Sequence, residues 1–470
     1  MMLDGIGESC GVIGVWAPDL PISHLVYSGL IGLQHRGQES AGIAVADGAK
    51  VALHRGMGLV QQVFRAPELT AMHGHTGIGH VRYSTTGEST IHNAQPFTGR
   101  TRSGEVFALA HNGNLVRVGQ PCRGSPQADT LALVRSLERH RGRVDVAMTR
   151  ALPQVDGAYS LVVLDRDTLY AVRDPHGFRP LCLGRLAGCG WAVASESAAL
   201  DVIGASYVRD VAPGELVGLD HNGLRSTTFA PATPAACSFE HVYFSRPDSL
   251  SRGRRLHQIR RDFGAALAEE CPAEADVVIP VPDSARPAAL GYAERSGIPY
   301  DEGLARNNYL GRTFIQPDQA DRSLAVRLKL NPIPDVVAGN RVVVVDDSIV
   351  RATTASQVVA MLRAAGARQI HLRIASPPVR WPCFYGVDMK TDTELVASRL
   401  SPAGIAAAVG ADSLGYLSVE AMAAAIGDDG LCTACFTGRY PVGVPAPADP
   451  AERLGAVPAA GPGHAVMVGS

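Results

Sequence analysis

Arg341-Val342-Val343-Val344-Val345-Asp346-Asp347-Ser348-Ile349-Val350-Arg351-Ala352-Thr353-Thr354 decides the architecture of the second half of the chain. An unbroken Val run without polar alternation describes a strand buried on both faces, the habit of a parallel sheet. Two adjacent carboxylates follow at its carboxyl end, a costly placement unless they meet cations or hydroxyls. The small, Thr-rich loop after them opens a helix, TTASQVVAMLRAAGA, whose free N–H groups and dipole favour a phosphate. An acidic turn with an N-cap would account for Asp-Asp-Ser alone, but poorly for the whole run.

The same grammar extends to both sides. RRLHQIRRDFGAALAEE sets Leu256, Ile259, Phe263 and Leu267 at helical spacing, DVVIPV is a continuous apolar strand, and QIHLRIA is the next. Such βαβ units imply a parallel sheet with its ligand site at the carboxyl ends of the strands. Residues 10 to about 230 read differently. GVIGVWA, AGIAVAD, KVALHRG, IGHVRYS, EVFALAHN, YSLVVLD, LYAVRD and WAVASES are short β-rich runs separated by Gly, Asp and Asn, with few helical stretches between them. They predict stacked antiparallel sheets with some helices. A Pro/Ala/Thr stretch at 227–236 divides the halves, so the expected domains are 10–230 and 238–440. Residues 441–470, rich in Pro, Ala and Gly without an apolar period, are expected to be a disordered tail.

Composition narrows the function classes. In 470 residues, 43 basic side chains stand against 45 acidic ones, a balance that argues against nucleic acid or an anionic membrane as the main partner. MMLDGIGES has neither the basic nor the apolar region of a secretion signal, and no apolar run approaches a membrane span. The expected location is the cytoplasm. The nine cysteines, at 10, 122, 182, 189, 237, 271, 383, 432 and 435, are odd in number and scattered, which favours metal or catalytic roles over bridges.

Cys10 opens a strand-like run, and taken alone it reads as a small buried residue. Three other segments change its reading: Gln34-His35-Arg36-Gly37-Gln38-Glu39-Ser40-Ala41-Gly42, Gly79-His80-Val81-Arg82-Tyr83-Ser84-Thr85, and His111-Asn112-Gly113-Asn114. Together the four resemble the N-terminal-nucleophile glutamine amidotransferases. The resemblance implies a propeptide of residues 1–9 whose removal exposes Cys10, and a four-layer αββα sandwich for 10–230. The thiolate is the nucleophile, and a free α-amine with a pKa near ~8 can serve as its base. The resemblance further implies that the Asn112 amide and the Gly113 N–H receive the oxyanion. Arg82 would hold the glutamine carboxylate, Asp129 its ammonium, and Arg36 would order the loop at the glutamine site. An isolated Asn-Gly would be a hairpin turn. The stretch from Asn114 to Asp129 looks shorter than in relatives and lacks a helix after the Asn-Gly pair.

The Val342–Thr354 run resembles the ribosyl-pyrophosphate signature of type I phosphoribosyltransferases. That likeness implies that Asp346 and Asp347 meet the ribose hydroxyls and a Mg2+ shell, one ion per subunit, joined by Ser284 of Val281-Pro282-Asp283-Ser284. The loop Ser348, Arg351, Ala352, Thr353 and Thr354 would cradle the 5′-phosphate. Ala352 stands where Gly is usual, which is awkward if φ is positive there. Asn308 stands where Arg is common. The long polar loop from Asn307 to Leu330, carrying Arg327 and Lys329, suits a lid over pyrophosphate.

Cys432-Thr433-Ala434-Cys435 is a CxxC pair far from Cys237 and Cys383. By spacing alone a four-cysteine zinc site, an iron–sulfur cluster and a redox dithiol stay open. Cys237-Ser238-Phe239-Glu240-His241-Val242-Tyr243-Phe244-Ser245-Arg246-Pro247-Asp248, with Pro382-Cys383-Phe384-Tyr385-Gly386 and Cys435-Phe436-Thr437-Gly438-Arg439-Tyr440, resembles the bacillus-type amidophosphoribosyltransferases. That class implies one [4Fe–4S] cluster per subunit on Cys237, Cys383, Cys432 and Cys435, a homotetramer, and glutamine and phosphoribosyl pyrophosphate as substrates. Three rival readings stand beside this one. A glucosamine-6-phosphate-forming amidotransferase would leave Asp346–Thr354 unexplained. A paralogue in a specialised nucleoside pathway would share the chemistry and the departures at Ala352 and Asn308. A non-catalytic regulator binding the diphosphate ligand would not need the side chains of both sites.

Overall fold

The computed structural model describes residues 10–83, 89–122, 128–188, 190–307, 329–389 and 394–443. Residues 1–9, expected to be a propeptide, and Ser84, Thr85, Cys189, Asn308, Arg327 and residues 444–470 lie outside them. Within the first half, the β-rich runs form two seven-stranded sheets. Across the first the order is Ser206–Asp210, Cys182–Arg185, Trp191–Ala194, Gly11–Trp16, Thr76–Arg82, Ser40–Ala46 and Val51–Met57. Across the second it is Gly223–Thr228, Glu215–Asp220, Leu169–Arg173, Val155–Leu164, Val106–Val118 and Phe97–Arg100, with Gln120–Pro121 paired to Val106–Val118. Neighbouring strands are antiparallel in both.

Side-chain alternation along each strand builds the layers. On Gly11–Trp16, Val12 and Trp16 face the other sheet, whereas Ile13 and Val15 face helices. Between the sheets, Ala44 and Ile78 meet Ala108, Val162 and Ala171. Helix Ile22–Gly32 covers the outer face of the first sheet with Ile22, Val26 and Leu30. Helices Asp129–Glu138 and Val144–Ala151 cover the second with Leu133, Leu137, Ala147 and Met148. The result is a four-layer αββα sandwich. From Asn114 to Val118 the chain remains strand, and the helix begins only at Asp129. Asn112-Gly113 sits inside the strand Val106–Val118, so the hairpin alternative fails: the ladder to Val155–Leu164 continues through both residues.

The second half carries a four-stranded parallel sheet in the order Val277–Pro280, Arg341–Asp346, Gln369–Ile374, Ser413–Tyr416. Tyr300 bridges Val278 in parallel on the opposite edge. The chain therefore leaves Val277–Pro280 in one direction and returns on its other side at Arg341–Asp346. That reversal opens a crevice at the carboxyl ends of these two strands. Helix Leu256–Glu270 buries Leu256, Ile259, Phe263 and Leu267 as their spacing requires, each contributing roughly 1.5–3 kcal/mol. Between the halves, Ala236–Cys237 pairs in parallel with Leu431–Cys432. Among the described residues no helix is long and apolar enough to cross a membrane.

Candidate active sites

Cys10 lies one residue beyond the Gly11–Val81 pair, at the edge of the central strands of the first sheet. It is 7% exposed. Its Sγ donates to the Tyr83 carbonyl at 3.3 Å and accepts from the Tyr83 N–H at 3.5 Å. Burial pushes the thiol above its ordinary value; the Tyr83 contact and the Arg82 charge oppose this, while Glu39 and Asp129 add to it. The fold thus gathers Cys10, Arg82 and Asp129, which are remote in sequence, together with Glu39, to which sequence reading assigned no role. Glu39 lies 3.9 Å from Arg82.

Asp129 is the first residue of its helix and holds the strand beside it. One carboxylate oxygen accepts the Leu115 N–H at 2.5 Å and the other accepts the Thr130 N–H at 2.9 Å. Asn112 is fully buried. Gly113 has φ +142°, and a Cβ there would lie 2.0 Å from the Ala158 carbonyl oxygen, so only glycine fits.

Arg36 orders the site from beneath. It is 1% exposed. Nε donates to the Cys10 carbonyl at 3.0 Å, Nη1 to Glu196 at 2.5 Å, and both terminal nitrogens donate to Glu240, at 3.0 and 2.6 Å. These donors are spent on protein acceptors, so Arg36 acts as a brace for the nucleophile's backbone rather than as a hand on glutamine. Glu196, Glu240 and Arg179 are the members of this network that sequence reading missed. Glu240 stood within a quoted motif, but no local signal marks a carboxylate that will be buried against arginines from distant segments.

At the crevice of the parallel sheet, the Ser284 hydroxyl donates to Asp347 at 2.5 Å and the Ser348 hydroxyl donates to its other oxygen at 2.7 Å. Burial pushes the Asp347 carboxyl up, against the two hydroxyl hydrogen bonds and the charge of Arg260. Asp346 accepts the Asp347 N–H at 2.9 Å. Buried Asp347 and half-buried Asp346 with a serine hydroxyl make a hard oxygen donor set, which fits Mg2+. Ala352 caps helix Thr353–Ala364 with φ +63°. The sequence reading of an awkward Ala is therefore met by a left-handed backbone. Thr354 is buried within the first turn, Thr353 is exposed, and Arg351 is exposed and pairs with Glu394 at 2.7 Å. The Lys329 carbonyl accepts the Asn307 N–H at 2.9 Å, closing the base of the long loop.

Arg260 lies between the two sites. It is 3% exposed and donates to the carbonyls of His241, Tyr243 and Ser245 at 2.8, 3.0 and 2.7 Å. Burial lowers its pKa, and Asp347 is the leading charge that opposes the loss.

Cys237, Cys383, Cys432 and Cys435, distant in sequence, line one cavity with Phe178, Phe239 and Met389. All four are unbridged. The Cys237–Cys432 ladder pair and the Ser238 hydroxyl on the Cys432 carbonyl hold one side, and the Arg380 and Trp381 N–H groups on the Cys435 carbonyl hold the other. The Tyr385 N–H donates to Cys383 Sγ at 3.4 Å, and Arg179 Nη1 lies 4.0 Å from Cys237 Sγ. Burial pushes the Cys237 thiol up to about 11, with Arg179 opposing. Among the described residues no group of three or more His, Cys, Asp or Glu is drawn close enough to hold a single ion. Four free thiols lining one apolar cavity form a sulfur donor set that fits an iron–sulfur cluster as well as zinc.

A glutamine amidotransferase domain pattern matches residues 80–202. Over 93% of this chain, the sequence is 51% identical to an amidophosphoribosyltransferase from Mycobacterium tuberculosis, covering 87% of that protein. It is 45% identical to the Bacillus subtilis amidophosphoribosyltransferase, over 93% of this chain and 95% of that one. A solved structure of the B. subtilis glutamine phosphoribosylpyrophosphate amidotransferase, complexed with ADP and GMP, superposes with TM-score 0.85 at 44% identity, covering 92% of this chain and 97% of that chain. A structure described as the allosteric regulatory enzyme of purine biosynthesis superposes at 0.86, also at 44% identity, over 92% of this chain and 96% of that chain.

Proposed function

The chain belongs to the amidophosphoribosyltransferase family, and from that premise we propose how its residues divide the reaction. The enzyme is a glycosyltransferase: ammonia from glutamine displaces pyrophosphate from C1 of 5-phosphoribosyl 1-pyrophosphate, giving 5-phosphoribosylamine, glutamate and diphosphate. This is the first step of de novo purine synthesis. The observation that carries the reading is the pairing, in one chain, of a buried Cys10 beside Arg82 and Asp129 with a Ser284–Asp347 contact at a parallel-sheet crevice.

In the first half, Cys10 attacks the side-chain amide of glutamine and forms a thioester as ammonia leaves. Removal of residues 1–9 would free the α-amine that takes the thiol proton. The Asn112 amide and the Gly113 N–H receive the oxyanion, a role whose loss costs ~100-fold or more per donor. Arg82 pairs with the glutamine carboxylate and Asp129 with its ammonium, while Arg36 holds the Cys10 carbonyl. In the second half, Asp346 and Asp347 orient the ribose hydroxyls, and the loop from Ser348 to Thr354 takes the 5′-phosphate on helix N–H groups. Asp346, Asp347 and Ser284 would hold Mg2+, and the chemistry that ion would supply is neutralisation of charge on the leaving diphosphate. Lys329 and Arg327 belong to the loop that would close over it.

Cys237, Cys383, Cys432 and Cys435 would hold the [4Fe–4S] cluster. Four protein ligands leave no open position, so its contribution is structural. Assembly as a homotetramer in the cytoplasm follows from the family resemblance. The test is glutamine hydrolysis by anaerobically purified enzyme, with and without phosphoribosyl pyrophosphate, in wild type and Cys10→Ser. Wild type hydrolyses glutamine and responds to the ligand; Cys10→Ser loses this and keeps synthesis from added ammonia. A wild type inert toward glutamine overturns the reading.

A further inference from the structure

We infer that Arg179 and Gly386 are positioning residues for glutamine hydrolysis, clamping the backbone at Gly113 against the segment that carries Cys383. The inference rests on the reading of Gly113 as an oxyanion donor. One side of that glycine is fixed by the ladder to Tyr159 and Ser160. The other meets residues 384–386 from the second half of the chain. Asn114 Nδ2 donates to the Phe384 carbonyl at 2.9 Å. Gly386, at φ +102°, approaches so closely that a Cβ there would lie 3.1 Å from the Gly113 carbonyl carbon and 3.0 Å from Arg179 Nη2.

Arg179 holds this segment in place. It is 1% exposed. Nε and Nη2 donate to the Tyr385 carbonyl at 3.3 and 3.0 Å, and Nη1 donates to Glu240 at 3.1 Å. The same Glu240 oxygen accepts from Arg36, whose Nε holds the Cys10 carbonyl. The Arg179 carbonyl accepts from the Ser160 hydroxyl at 3.0 Å, and Ser160 is the ladder partner of Asn112. Phe178 stacks on Tyr385 at 4.5 Å between ring centroids. Arg179 thus joins three parts of the chain: its carbonyl holds the strand of the oxyanion donors, its guanidinium holds the Cys383 segment, and through Glu240 and Arg36 it reaches the backbone of the nucleophile. The parallel-sheet crevice makes none of these contacts. A fault here therefore falls on glutamine hydrolysis and spares transfer from free ammonia.

The test compares glutamine-dependent and ammonia-dependent phosphoribosylamine formation in the full chain, purified anaerobically, as wild type, Arg179→Lys, Gly386→Ala and Asn114→Ala. Lys cannot make the fork that spans Tyr385 and Glu240. In Arg179→Lys and Gly386→Ala the glutamine-dependent kcat falls about 30- to 100-fold, as for a displaced oxyanion donor. KM for glutamine moves less than ~3-fold and ammonia-dependent synthesis stays within ~3-fold, because the lost contact acts in the transition state. Iron per chain and the circular dichroism spectrum are unchanged. Asn114→Ala removes the contact with the Phe384 carbonyl and gives the same split at smaller size, which keeps the test decisive if the other two variants do not fold. If both activities fall together in step with lost iron or folded protein, or if glutamine-dependent kcat is unchanged in the variants that fold, the inference is overturned while the functional reading stands. Absence of glutamine hydrolysis in wild type overturns both.

Discussion

Ala352 illustrates how one side chain can set a local energy. Its φ of +63° is a conformation that costs an L-residue about 1 kcal/mol or more and costs glycine almost nothing. Ala352→Gly is expected to raise stability by about 1 kcal/mol, measured by urea unfolding, and to leave glutamine hydrolysis unchanged. Gly113 is the opposite case, since its neighbour Ala158 leaves no room for a Cβ. Gly113→Ala is expected to abolish glutamine hydrolysis and to cost about 1–3 kcal/mol of backbone strain. Cys10 shows what sequence could suggest and only packing could supply. The CGVIG run and its companion segments marked it as a nucleophile, but the contacts with Tyr83 and the field of Arg82 come from strands far along the chain.

At the scale of elements, the buried ionic network ties the turn at 240–244 to the first sandwich. Burial pushes the Glu240 carboxyl up, and the charge and hydrogen bonds of Arg36, with the charge of Arg179, more than reverse the effect. Glu196 is held low in the same way against burial, by His35 and Arg36. A carboxylate depressed in the folded state stabilises fully above its unfolded pKa of about 4.3 and loses that contribution as pH falls toward the folded value. Unfolding free energy is therefore expected to decline below about pH 4, and Glu240→Gln should make that acid limb shallower. At neutral pH the same substitution strands buried guanidinium charge and is expected to cost about 3–5 kcal/mol; urea titrations across the pH range check both. Helix Leu256–Glu270 needed no such tertiary information. Its apolar spacing predicted the buried face, and Phe263→Ala should cost about 3–5 kcal/mol.

Across the whole molecule, the cysteine quartet closes the chain on itself, because Cys237 belongs to the connection between the halves and Cys432 and Cys435 to the end of the described chain. Anaerobically purified protein is expected to be brown with about four irons per chain, and Cys435→Ser should lose the colour and unfold at lower temperature; a colourless protein with one zinc would contradict the cluster. The sequence by itself pointed to both architectures: short β-rich runs separated by Gly, Asp and Asn announced stacked antiparallel sheets, and the Val342–Val345 run with its following helix announced the parallel sheet. It also singled out Cys10, Asp346, Asp347 and the quartet as candidates, the carboxylate pair by its place at the end of a buried strand and the cysteines through motifs that resemble known families. Only the tertiary structure decided that Asn112-Gly113 lies within a strand, that Arg36 braces backbone, and that Glu196, Glu240, Arg179 and Arg260 form the links between segments. The physical reason is that burial and pairing of a charge depend on what the rest of the chain packs against it. No period or motif records that for an isolated glutamate or arginine.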